Sequence, residues 1–134
     1  SNLEHYGNPE KILSDVEKQI HRRILLQTKT LILTPRYLVE LSDDICAIIP
    51  LPEVLWIYDH AAMRRTIKGR QLSYTIHVVT MKGEEYTLTG KSHREVSAIY
   101  HELNTRYPNF FFGYSKEHQE MVQYVLHEMK NEKA

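Results

Sequence analysis

Between Thr28 and Tyr107 the sequence contains several short runs of alternating apolar and polar residues, followed by one run with helical spacing. Alternation indicates strands, whereas apolar residues at every third or fourth position indicate an amphipathic helix. No spacing typical of catalytic residues interrupts this order. The pattern predicts a small α+β binding module, and it does not specify a ligand.

Composition excludes several classes of protein. A chain of 134 residues suits one domain, and we predict a single domain over residues 1–134. Acidic and basic residues number 17 each, so no overall field draws the chain to nucleic acid or to an anionic membrane, and any anion binding must be local. A lone cysteine, Cys46, excludes an intramolecular disulfide and a multi-cysteine zinc site. Since no ligand-binding motif is found either, we predict no cofactor, no metal site and no small-molecule substrate.

The chain starts with Ser1-Asn2 and has no initiator Met, as a protein does after an affinity tag has been cleaved. We therefore expect further residues before Leu3 in the natural protein. No apolar run approaches the roughly 20 residues that cross a bilayer. A single cysteine suits a reducing compartment, so we expect a cytoplasmic location.

Residues 8–27 are predicted to form an N-terminal helix and its lead-in. Asn8-Pro9-Glu10 is typical of a helix start, because Asn caps free N–H groups and Pro fits the first helical position. The helix is predicted over residues 9–23. Its predicted buried face contains Ile12, Leu13, Val16 and Ile20.

Residues 28–107 are predicted to form the core of the fold. The strands are predicted at residues 31–33, 37–41, 45–49, 54–58, 72–81 and 84–89. Ser92-His93-Arg94-Glu95 matches the capping box that starts a helix, and Pro108 ends that helix. An aromatic loop and a terminal helix capped by Ser115 are predicted over residues 108–134. One shared core is predicted to contain Trp56, Ile76, Val78, Leu88, Ile99 and Leu103, with the closing helix packed on the sheet.

Three segments of the core resemble a known family. They are Leu31–Leu38 (LILTPRYL), Ile49–Tyr58 (IPLPEVLWIY) and Met81–Glu84 (MKGE). In this order they resemble the bacterial pleckstrin-homology-like domains, which have a strand pair around a turn, an I-P-L lead into the next strand, and a late hairpin with a Gly turn before a closing helix. The likeness covers residues 29–107.

The resemblance implies a strongly bent antiparallel sheet or a partly open barrel that is closed by a C-terminal helix. The N-terminal helix and a second C-terminal helix are additions to that fold. As a whole, the chain also resembles uncharacterised proteins of Gram-positive bacteria that join such a domain to an N-terminal membrane anchor. This likeness implies a docking module at the inner face of the cell membrane, and it implies no catalytic residues.

Arg64, Arg65, Lys68 and Arg70 form the candidate anion contact. They lie between two predicted strands with no acidic residue among them. On a hairpin tip they can converge on a phosphate or a carboxylate, since Arg binds such groups through two parallel hydrogen bonds. The alternative is a solvated tip whose charges keep the hairpin soluble and discourage pairing at the sheet edge.

Phe110, Phe111, Phe112 and Tyr114 form the candidate partner surface. Four aromatic residues within five positions either leave an apolar patch for a protein partner or fold back between the helices. The sequence leaves both alternatives open.

A small hydrolase is the alternative function, with Asp59, His60 and Cys46 as its candidate residues. Asp59 and His60 end a strand predicted to be central, where a carboxylate can orient a His for acid–base chemistry. Cys46 would supply the nucleophile, although its place in a strand also suits a packing residue. Since no oxyanion-binding feature accompanies them, the sequence favours a non-enzymatic interaction or scaffold module. Its predicted partner is a protein or an anionic membrane surface, and its oligomeric state is left open.

Overall fold

The computed structural model describes residues 2–42 and 45–132. The helices are α1 (Pro9–Arg22), α2 (His93–Arg106) and α3 (Lys116–Glu132). The strands are β1 (Leu26–Gln27), β2 (Leu31–Leu33), β3 (Tyr37–Ser42), β4 (Ile45–Pro50), β5 (Val54–Thr66), β6 (Gly69–Thr80), β7 (Glu85–Lys91) and β8 (Phe111–Phe112). Short 3-10 helices lie at Asn2–Tyr6 and Leu51–Glu53.

The strands form two sheets of four, with the orders β1-β2-β3-β4 and β7-β6-β5-β8. The predicted α+β class is confirmed, and the described strands form two four-stranded sheets and no closed barrel. Pro50 and Pro52 account for the break between the sheets, because proline has no N–H to continue a ladder. The 3-10 helix at Leu51–Glu53 takes the place of a continuous strand there.

The chain divides into two compact units. The first comprises the described residues up to Pro52 together with Ser97–Pro108, and the second comprises Glu53–Val96 together with the described residues from Asn109 onward. Sheet β1-β2-β3-β4 belongs to the first unit, and sheet β7-β6-β5-β8 belongs to the second. In the described part of the chain, no helix is both long and apolar enough to span a bilayer.

In the first unit, α1 begins as the sequence predicts. The Asn8 side chain accepts a hydrogen bond from the Glu10 N–H at 2.9 Å, and Pro9 lies in the first turn. Leu13, predicted to be buried, is 46% exposed. It lies about 60° around the helix from the buried Val16, so it falls at the margin of the stripe that packs against the sheet.

The core of the first unit joins α1 to strands β3 and β4. Its buried members are Leu3, Val16, Tyr37, Val39 and Ile48. The Tyr37 hydroxyl donates a hydrogen bond to Asp15 Oδ2 at 2.5 Å. Burial, reinforced by this carboxylate, raises the pKa of Tyr37 to about 12.

In the second unit, the predicted turn and caps are confirmed. Gly83 turns the chain between β6 and β7 with a φ of 82°, which glycine adopts without strain. The Ser92 N–H donates to Glu95 Oε1 at 2.8 Å, and the Glu95 N–H donates to Ser92 Oγ at 3.2 Å, which completes the capping box of α2. Ser115 Oγ accepts a hydrogen bond from the His118 N–H at 2.9 Å and caps α3.

The core of the second unit lies where α3 packs on the sheet. Its buried residues are Leu55, Trp56, Val79 and Val122. The Trp56 indole N–H donates to the Gly113 carbonyl at 2.9 Å. Strand β8, which the sequence predicts to be loop, runs parallel to β5 with Trp56 opposite Phe111. All six residues of the predicted core are buried, namely Trp56, Ile76, Val78, Leu88, Ile99 and Leu103. The first four belong to the second unit, whereas Ile99 and Leu103 belong to the first unit.

We expect Trp56→Ala to lower the free energy of unfolding by about 3 to 5 kcal/mol, the usual loss when a large buried aromatic side chain is removed. The substitution leaves a cavity beside Leu55 and Val79 and removes the hydrogen bond to Gly113. Denaturant titration measures the loss. Trp56→Phe keeps much of the ring packing and should lose less. A loss below about 1 kcal/mol in the alanine variant would contradict the assignment of Trp56 to the core.

Candidate functional site

The hairpin of β5 and β6 extends beyond the strands that flank it. Strand β7 pairs with β6 only as far as Tyr74, and β8 pairs with β5 only at Trp56 and Ile57. Farther out, among the described strands, β5 and β6 pair only with each other, as far as Thr66↔Gly69. Residues 60–72 are all exposed except Thr66, which is half-buried. We name residues 60–72 the basic ribbon.

The two-residue turn Ile67-Lys68 closes the basic ribbon. Thr66 and Gly69 face each other at the base of this turn, and Thr66 Oγ1 donates to the Gly69 carbonyl at 2.9 Å. Gly69 has a φ of 115°, which residues with a Cβ rarely adopt. Gly69 thus lets the chain reverse within two residues, and the reversal leaves Ile67 fully exposed.

The four candidate anion contacts all lie on the basic ribbon. The sequence predicts them on a loop, whereas Arg64 and Arg65 lie in β5, Arg70 lies in β6, and only Lys68 lies in the turn. The difference arises because the ladder continues to Thr66↔Gly69 and leaves no loop beyond the two turn residues. Their position at the end of a hairpin agrees with the prediction.

The charges of these residues are not neutralised within the described part of the chain. Arg65 and Arg70 lie directly opposite each other, and like charges in facing positions destabilise an antiparallel pair. None of the four cations forms an ion pair with a described residue. The end of the ribbon therefore concentrates positive charge that an anionic surface or ligand would neutralise.

An open cleft of about 700 Å³ lies between the basic ribbon and the start of α2. The charged residues that line it are Arg64, Arg65, Lys68, Lys91 and Glu95. The Glu95 carboxylate is engaged in the capping box of α2. Positive charge therefore predominates in the cleft, which suits an anionic group.

At the root of the ribbon, His60 on β5 contacts His77 on β6. His77 Nε2 and His60 Nδ1 are 3.1 Å apart, and the two rings stack with their centroids 5.1 Å apart. Tyr58 also stacks on His77, with a centroid distance of 4.6 Å. Burial and the proximity of His60 lower the pKa of His77, and the nearby Glu85 carboxylate opposes this shift. The contact therefore favours a neutral imidazole at His77.

Asp59 and His60, the acid–base pair of the hydrolase alternative, do not face each other in the structure. These residues are consecutive in β5, so their side chains point to opposite faces of the strand, and the ring partner of His60 is His77. Cys46 belongs to β4 in the first unit, and its side chain lies outside the described part of the structure. Among the described residues, no group of three or more His, Cys, Asp or Glu side chains is arranged to hold a metal ion.

The candidate partner surface is partly folded back onto the sheet. Phe111, in β8, pairs with Trp56 of β5 and packs against the core of the second unit. Phe110 is half-buried. Phe112 and Tyr114 remain 46% and 61% exposed. The Tyr114 ring lies 6.0 Å from that of Trp56, centroid to centroid. This segment therefore anchors one edge of the sheet and also leaves two aromatic side chains exposed.

The sequence pattern does not single out Ile67 or Lys91, which the structure places at the ribbon and its cleft. The glycine at position 69 is the one local sign of the turn, since glycine readily adopts a positive φ. A turn placed there sets the register of the two strands. That register puts Arg65 opposite Arg70 and brings His77 beside His60.

One family profile matches the chain. It is described as a domain of unknown function (DUF6709), and the match covers residues 9–122. No curated protein and no solved structure matches the chain.

We expect a fall in pH to destabilise the protein partly through His77. Because its pKa is lower in the folded chain than its ordinary value of 6.5, the unfolded chain takes up a proton more readily. The free energy of unfolding therefore falls as the pH drops below that value. His77→Gln removes this contribution, so its stability should depend less on pH between about 7 and 5 than that of the wild type.

Denaturant titrations across this pH interval measure the effect. His60→Gln serves as the companion variant, because it removes the electrostatic effect of the neighbouring imidazole while His77 stays in place. Its pH dependence should lie between those of the wild type and His77→Gln. Identical pH dependence in the wild type and His77→Gln would contradict the assignment.

Proposed function

The chain belongs to the DUF6709 family, and we propose that it is a non-enzymatic interaction module whose basic ribbon docks on an anionic membrane surface. One observation carries this proposal. Four cations project from an exposed hairpin end, and none of them forms an ion pair with a described residue.

The strength of the charge is sufficient for membrane docking. A Lys or Arg side chain near an anionic membrane contributes about 1 kcal/mol of attraction. Four such side chains acting together correspond to an affinity gain on the order of a thousandfold at low salt. Arg also binds phosphate through two parallel hydrogen bonds, so the three arginines suit a surface of lipid phosphates.

The distribution of the charges favours an extended surface over a single enclosed anion. Alternation along β5 places Arg64 and Arg65 on opposite faces of the ribbon, and Arg70 lies across from Arg65. Lys68 lies at the closing turn. When the ribbon approaches a membrane with its closing turn first, the cations on both of its faces and at the turn all come close to the lipid headgroups.

We further propose that the fold is a variant of the pleckstrin-homology-like domain. Antiparallel strands that lead through the Gly83 turn to the capped helix α2 support this likeness. Such domains serve as docking modules, which agrees with a role without catalysis. We place the docked protein at the cytoplasmic leaflet, because anionic lipids give that leaflet its negative surface potential.

We expect the quadruple variant R64Q/R65Q/K68Q/R70Q to lose binding to vesicles of phosphatidylcholine and phosphatidylglycerol at low salt. The loss follows from removal of the charges that face the lipid phosphates. Thermal stability should change little, since solvated charges contribute little to folding and the variant removes the unfavourable facing of Arg65 and Arg70. Co-sedimentation with the vesicles over a series of salt concentrations measures the binding.

The matched control carries the same change of net charge elsewhere. Variant K11Q/K18Q/R22Q/R23Q replaces four exposed cations at and beside α1, and we expect it to bind as the wild type does. Equal loss in both quadruple variants would attribute the binding to net charge and overturn the proposal. Absence of wild-type binding at low salt would overturn it as well, and the exposed Phe112 and Tyr114 would then be the surface to test for a protein partner.

A further inference from the structure

We infer that the basic ribbon inserts its closing turn into the bilayer interface, with Ile67 as the leading side chain. This inference rests on the proposed function and adds how the ribbon meets the lipid. It assigns an apolar, lipid-contacting role to the turn, beyond the electrostatic role of the four cations.

The first support is the apolar character of the exposed ribbon. Ile67 is fully exposed at the turn, and Met63 and Leu72 face each other farther along the ribbon with 62% and 54% exposure. Single exposed apolar residues are ordinary on protein surfaces. Short hairpin turns, however, favour Asn, Asp and Gly for their backbone geometry. A tip that only maintained solubility would gain nothing from Ile at this position.

The second support is the order of side chains along the ribbon. Residues 63 and 65 lie on the same face because strand side chains alternate, so the Met63↔Leu72 pair is followed on that face by the Arg65↔Arg70 pair. Ile67 then lies at the very end. Arg65 and Ile67 are two positions apart along the chain, so the rise between them is at most about 7 Å.

That spacing matches the interface of a bilayer. Interfacial segments bury their apolar side chains about 5 to 10 Å into the boundary between headgroups and acyl chains. With Ile67 at this depth, Arg65 and Arg70 lie at the level of the phosphates. The flexible stem of Lys68 lets its ammonium group reach the same level from the turn.

The hydrogen bonds of the ribbon limit how deep it goes. Backbone groups without partners are costly in hydrocarbon. The ladder provides partners up to Thr66↔Gly69, so the backbone of Ile67 and Lys68 needs headgroup water. Insertion is therefore shallow. The strand from residue 60 to residue 66 spans about 20 Å, so the turn reaches the interface while the sheet stays outside the headgroups.

Binding then has two components with different responses to salt. Attraction by the cations weakens as salt screens the charges. Burial of an Ile side chain is insensitive to such screening. We expect Ile67→Ser to weaken binding on the order of tenfold, and the residual binding of the wild type at high salt should be lost. Leu13→Ser, at an exposed leucine on α1, is the matched control and should bind as the wild type does.

An environment-sensitive fluorophore reports the insertion directly. The label is attached to a cysteine at position 67 in a Cys46→Ser background, and a second protein carries it at position 13. Vesicles of phosphatidylcholine with phosphatidylglycerol should shift the emission of the label at position 67 to the blue. Emission at position 13 should not change, and vesicles of phosphatidylcholine alone should have little effect at either position.

The outcomes separate this inference from the proposed function. A blue shift at position 67 alone supports insertion. In a second outcome, the protein co-sediments with anionic vesicles while the label at position 67 emits at the same wavelength as without vesicles. That result overturns insertion and leaves electrostatic docking standing. Wild-type protein that does not co-sediment at low salt overturns both. Equal losses of binding in Ile67→Ser and Leu13→Ser would also overturn insertion, and thermal unfolding of both variants shows whether they remain folded.

Discussion

The antiparallel pairing of β5 with β6 is the interaction on which the second unit depends. At the root of this ladder, the pairs Ile57↔Val78 and Asp59↔Ile76 bring buried residues into the sheet. Farther out, the same ladder continues where neither face is covered. A two-stranded hairpin is only marginally stable by itself, so the continuity with the sheet maintains the register of the ribbon. The ribbon therefore keeps its register without packing its own side chains into a core. Its side chains can then be exposed cations and exposed apolar residues.

The solubilising and the anion-binding interpretations of the ribbon involve the same residues. Strands that pair on one side only have open backbone edges, and such edges invite pairing with a second copy. The charges of Arg64, Arg65 and Arg70 repel another ribbon of the same sequence. The same charges attract an anionic surface. Both effects act on one molecule, and only the response to an anionic surface distinguishes a docking ribbon from one that is merely soluble.

Features with local causes could be predicted from the sequence. The cap at Asn8, the turn at Gly83 and the capping box of Ser92 and Glu95 each depend on residues within a few positions, and the structure confirms them. The length of the ribbon could not be predicted in the same way, because residues exposed on both faces show no alternation of burial. The parallel pairing of β8 joins Trp56 to Phe111, and no local pattern encodes a contact over such a separation.

Helix α3 packs on its unit along one face, through Val122, Val125 and Leu126. Val122 is its fully buried residue, and the chain leading to it is held by β8 and by Gly113, whose carbonyl accepts the Trp56 indole N–H and whose N–H donates to the Ile57 carbonyl. Strand β8 pairs with β5 at two positions only, whereas the β5–β6 ladder is long, so we expect α3 and β8 to open locally before the ladder does. Amide hydrogen exchange in α3 would then proceed while the ladder stays protected. A ligand that holds Tyr114 in place would slow exchange along the whole of α3 without contacting the helix.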